Sequence, residues 1–193
     1  PVGAERPATR ARAKALAAAS LIALVRADTE RAAACGEASL ALMWSVGDEA
    51  GIARARTLLG NVELSRSAYQ QAAARYAEAL PLFRRLGDAP WTIVALNNLG
   101  LAAVGSADGP AAAGFAAEAL ALARASGDAW GEALAMRTLG DAARLAGDID
   151  GGKRWIAASL AKSLEHRHPW GVANSLAASA SLALAAGDPE RAT

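Results

Sequence analysis

A period of 40 residues constrains this chain more than any other feature. Gly47-Asp48, Gly87-Asp88 and Gly127-Asp128 stand 40 residues apart, and the next register position holds Arg167-His168. A second series interleaves with them: Ala27-Asp28, Ala107-Asp108, Gly147-Asp148 and Gly187-Asp188, with Ala68 where Asp is expected. Leu59-Gly60, Leu99-Gly100 and Leu139-Gly140 keep the same spacing. Three markers on one period mean stacked units, because a unit this short cannot bury its apolar face alone.

Composition says what the units are made of. Apolar residues are 53% of the chain but aromatics only 5%, so the apolar content is mostly Ala and Leu. Both favour helix, and Ala lets helices approach closely. Alternating runs rich in Val, Ile and Thr are scarce, which argues against strands. The chain is therefore expected to be all-α. Gly after a helix takes the left-handed conformation cheaply, and the following Asp caps the next helix through its free backbone N–H groups. Pro169 and Pro189 suit a first helical position. Each unit then reads as helix A, a tight turn, helix B and a second tight turn. Helices A are expected over about 10–26, 50–66, 90–106, 130–146 and 170–186. Helices B are expected over about 29–46, 69–86, 110–126 and 149–166, with a kink at Pro81.

These residues resemble the tetratricopeptide repeat. Leu59-Gly60 is followed by Ala72, Tyr76 and Ala79, matching that family's Leu-Gly in helix A and Ala-aromatic-Ala in helix B. Leu99-Gly100 leads to Ala112, Ala116 and Ala119, and Leu139-Gly140 to Gly152, Ile156 and Ser159. Leu96 and Met136 replace the family's helix A Trp, and a longer helix ending in Gly-Asp replaces its closing Pro. The phrases LFRRLGDAPWTIVALNNLG and GDAWGEALAMRTLGDAARLAGD look like the C-terminal repeat regions of large bacterial LuxR-type and SARP-type transcriptional regulators. The resemblance implies an α-α superhelix of about four and a half repeats, over about 10–48, 49–88, 89–128, 129–168 and a truncated 169–193. It also implies a protein or peptide partner, which includes other domains of a parent protein; the alternatives are a small-molecule inducer sensor and a self-assembly module.

Residues 1–9 are expected to form a flexible lead-in, and Pro1 in place of an initiator Met suggests that the natural chain starts upstream. Asp188-Pro189-Glu190 is expected to open a fifth helix B. The apolar fifth helix A, SLAASASLALAAG, then calls for more chain, or for another molecule such as a second copy to form a homodimer.

Twenty Lys and Arg oppose nineteen Asp and Glu without long like-charge runs, so a nucleic-acid footprint is missing. The longest apolar stretch, from Ala15 to Val25, is too short for a membrane span of about 20 residues. The single cysteine, Cys35, forms no internal disulfide, fits a reducing cytoplasm and is expected to be a buried thiol. His166 and His168 have no further ligands at metal spacing, and no nucleotide-binding or hydrolase motif occurs. The expectation is no cofactor, no metal and no catalysis.

In the resembled family helix A lines the concave surface. Positions i, i+4 and i+7 share one side of a helix. They are Ala17, Leu21 and Leu24; Thr57, Asn61 and Leu64; Asn97, Leu101 and Val104; Arg137, Asp141 and Arg144; and Ala177, Ser181 and Leu184. Two Arg with one Asp leave a positive charge that suits a carboxylate or phosphate, or else form a local ion pair on a solvated face. The amides of Asn97 and Asn98 suit a peptide backbone, and Arg54 adds a cation. The expected groove is thus Arg54, Asn61, Asn97, Asn98, Leu101, Arg137, Asp141 and Arg144. Trp91, Trp130 and Trp170, each in a first helical turn, are expected to pack over the joints, and Trp44 and Trp155 to pack within helix B.

Overall fold

The computed structural model describes residues 2–187, and side chains from residue 7 onward. Asp188, Pro189 and the expected fifth helix B lie outside the described residues. The described helices are α1 (Val2–Val25), α2 (Thr29–Ser45), α3 (Glu49–Ser65), α4 (Tyr69–Leu86), α5 (Ala89–Gly105), α6 (Gly109–Ser126), α7 (Ala129–Leu145), α8 (Ile149–Glu165) and α9 (Pro169–Ala185). No strand occurs among the described residues. Helices α2 to α9 fall where the period puts them, whereas α1 runs upstream of its expected start to Val2.

The turns work as their residues require. Gly47, Gly87, Gly127, Gly147 and Gly187 all have positive φ, from 65° to 80°. Ala27, Ser67, Ala107 and Arg167 take the same conformation at the other turns, where a Cβ carries a steric cost. The Asp48 and Asp148 carboxylates accept from the N–H groups of Gly51 and Gly151 at 2.9 and 2.8 Å. Asp28, Asp88, Asp108 and Asp128 repeat the contact on α2, α5, α6 and α7. His168 substitutes for Asp, its Nδ1 accepting from the Gly171 N–H at 3.2 Å while its ring stacks on Trp130. Ala68 leaves α4 with no side-chain cap.

The Leu-Gly marker has a packing cause. A Cβ on Gly60 would overlap the buried Tyr76 ring, and one on Gly140 would overlap Ile156. Where Ala116 stands in place of the aromatic, a Cβ on Gly100 would instead meet the Thr138 methyl at 2.9 Å. Gly in helix A therefore makes room for its neighbours' side chains, and Leu59 and Leu99 beside it are buried.

The chain divides into two compact units, Pro1–Trp91 and Thr92–Thr193. In the first, Ala13, Leu40, Met43, Ile52, Ala55 and Leu59 form a core, extended by the buried Tyr76 and Phe83. In the second, Ile156, Ala178 and Leu182 cluster, and Ile93 and Leu96 are fully buried. Helices A touch one another within each unit, α1 with α3 and α7 with α9. Among the described residues α2 does not reach α4, and α6 does not reach α8. Each unit therefore curves with helices A on the inside.

Two expectations need correction. Trp170 is 70% exposed and Trp44 is 56% exposed, so neither is a packing residue. Trp44 lies at the surface beneath the Arg56 guanidinium, whose centre sits 5.6 Å from the ring. Cys35 is half-buried.

Candidate ligand-binding faces of helices A

In the second unit the α7 face carries charge into a poorly solvated place. Arg137 Nη1 donates to Asp141 Oδ2 at 3.0 Å, and the two side chains are only 14% and 8% exposed. The i,i+4 spacing on one helix brings them together. Burial pushes the Asp141 carboxyl above its ordinary range, against the pull of Arg137 and Arg144. Burial likewise lowers the Arg137 guanidinium, and Asp141 opposes that. Arg144 lies one turn further on, half-buried, with no hydrogen bond to a carboxylate among the described residues. The Nε atoms of Arg137 and Arg144 are buried without hydrogen-bond partners among the described residues. The face therefore holds one ion pair and one surplus cation.

Asn97, on α5, is 4% exposed. Its Nδ2 donates to the Gly131 carbonyl of α7 at 3.4 Å, while Oδ1 is buried without a partner among the described residues. Asn97 thus ties adjacent helices A and retains an acceptor. Asn98 and Leu101 are half-buried on the same helix.

The first unit brings Arg54 and Asn61 to one cleft of about 310 Å³. Leu21, Met43 and Leu58 give it apolar walls, Lys14 stands at its rim, and Trp91 borders it. Arg54 is held twice, by Asp88 Oδ2 at 3.3 Å and by the Trp91 ring at 5.4 Å from the guanidinium centre. Trp91 also stacks on Phe83, as a joint-packing residue should. The Tyr76 hydroxyl donates to Asn61 Oδ1 at 2.8 Å, and burial raises the Tyr76 phenol, so this donor keeps its proton.

The expected residues thus fall into two groups, Arg54 with Asn61 in the first unit and the Arg137 cluster with Asn97 in the second. Lys14 was missed. It lies three and seven positions before Ala17 and Leu21, so extending the α1 face back one turn finds it. Among the described residues no group of three or more His, Cys, Asp or Glu could hold a metal ion. No described helix is long and apolar enough to cross a membrane.

A tetratricopeptide-repeat family model matches residues 51–125. No curated protein matches the sequence. Among solved structures, the apo form of RapI superposes on 93% of this chain at a TM-score of 0.79 and 11% identity. A Rap protein complexed with Competence and Sporulation Factor superposes on 90%, again at 0.79, with 14% identity. BtubC (BKLC) from P. vanneervenii superposes on 98% at 0.70 and 18% identity. This chain spans 64% and 48% of the two Rap chains and 84% of BtubC. The helix pairs, their period, the match over residues 51–125 and these likenesses agree on an all-α, tetratricopeptide-like helical repeat fold.

Proposed function

We propose that this chain is a non-catalytic scaffold that holds a protein or peptide partner against the inner faces of its helices A. The observation that carries the reading is the α7 face, where Arg144 is surplus to the Arg137–Asp141 pair and its Nε is buried without a partner among the described residues. A half-buried arginine with no carboxylate hydrogen-bonded to it gains from a charge-assisted bond, so the partner is expected to bring an acidic group there. The Rap protein complexed with Competence and Sporulation Factor shows a similar fold holding another molecule. The resemblance to the repeat regions of large bacterial regulators supports a regulatory role in the cytoplasm, with the partner drawn from the parent protein's own domains or from another chain.

The test is partner capture with the whole chain, in wild type, Arg144→Gln and Arg154→Gln. Arg144→Gln removes the surplus charge and leaves the Arg137–Asp141 pair, so the fold is kept; Arg154 is exposed on α8. The expected result is at least about tenfold weaker capture by Arg144→Gln, or ~1.4 kcal/mol, with Arg154→Gln unchanged. Equal capture by all three would remove the α7 face from the binding surface.

A further inference from the structure

The cleft in the first unit differs in chemistry from the α7 face. Its lining is mostly apolar, contributed by α1, α2 and α3 and bordered by Trp91, and it contains no carboxylate among the described residues. The protons of its hydroxyls are already placed: Ser39 donates to the Ala13 carbonyl at 2.8 Å and Thr57 to the Ala53 carbonyl at 3.0 Å. The charged residues lining it are two cations, Lys14 and Arg54. Asp88 and Trp91 fix the guanidinium of Arg54 before any ligand arrives, which lowers the ordering cost of binding. Lys14 is exposed and makes no ion pair among the described residues.

A pocket with apolar walls, few polar groups and a volume of about 310 Å³ lies at the small end of the ~300–1,000 Å³ range of small-molecule sites. The complement to this one is an apolar body ending in a single negative charge. We propose that this cleft binds a small amphipathic carboxylic acid, its apolar part against Leu21, Met43 and Leu58 and its carboxylate between Lys14 and Arg54. This does not depend on the partner-binding reading, since it uses neither α7 nor Arg144. A small-molecule site in the first unit would make the chain a sensor as well as a scaffold.

The whole chain is titrated by calorimetry and thermal unfolding with octanoate, with octan-1-ol as its neutral counterpart, and with a short peptide ending in leucine with a free carboxylate. Octanoate is expected to bind and raise Tm, and octan-1-ol to bind at least tenfold more weakly. Lys14→Gln/Arg54→Gln is expected to erase that difference while leaving the binding of octan-1-ol. Ala18→Phe, at an exposed α1 position lining the cleft, is expected to fill it and abolish binding of both without loss of helix content. The proposal is overturned by no binding of octanoate at millimolar concentration, by equal binding of octan-1-ol, or by insensitivity to either variant. It is also overturned if the peptide binds and octanoate does not, because the carboxylate would then be protein-borne.

Discussion

At the scale of single residues, the Arg137–Asp141 pair decides most. Charges this buried gain from each other mainly by avoiding isolation, so removing one partner costs more than removing both. Arg137→Met is expected to destabilise the fold by about 3 kcal/mol, and Arg137→Met/Asp141→Leu to recover most of that, as urea unfolding would show. The pH dependence has a definite sign. Because burial raises the Asp141 carboxyl in the folded state, its contribution to stability is full below the ordinary value of 3.8. That contribution is lost as pH rises through the raised folded value. Removing Arg137 takes away one of the two charges opposing that rise, so the gap in stability between wild type and Arg137→Met should narrow as pH falls from neutral toward 4; a constant gap would contradict the burial argument. The sequence alone places Arg137, Asp141 and Arg144 on one side of a helix, because spacing fixes direction. It leaves open whether they form a solvated pair or a buried one, because burial depends on the residues packed around them. Trp44 and Trp170 fail for the same reason: local spacing resembles that of buried aromatics, yet nothing in the described fold covers them.

At the scale of helices and turns, the chain is nearly transparent to reading, because the signals that start and stop its helices act within a few residues. Asp at the N-cap accepts from the N–H three residues on, and the residue before it takes positive φ. Ala68 is the exception that permits a clean test. Its backbone, at φ −84° and ψ 63°, is close to that of Asp28, at −86° and 76°, so a carboxylate there would meet the free N–H groups of α4 without rearrangement. Ala68→Asp is expected to stabilise the protein by about 1 kcal/mol, read as a rise in Tm. No gain would mean that the α4 N-terminus is satisfied by other means. Helix α1 is less legible. Its upstream residues carry no repeat marker and include Gly3 and Pro7, the residue types least suited to a helix, so local preference gives no reason to extend it to Val2.

At the scale of the whole molecule, the repeat period identifies the architecture because stacking is the only way such units bury their cores. The binding chemistry is less visible in the sequence. Lys14 comes from α1 and Arg54 and Asn61 from α3, and their meeting at one cleft depends on how α1 and α3 pack. The inner curvature of each unit gathers such residues from successive helices A, and this supports a scaffold that binds on its helix A side. Carbene footprinting of the chain, alone and with its captured partner, tests that claim most directly. Protection of Leu101 and Arg144 with unchanged labelling of Arg154 and Trp155 on α8 is the predicted result. Protection confined to α8, with the helix A residues labelled equally in both samples, would contradict it.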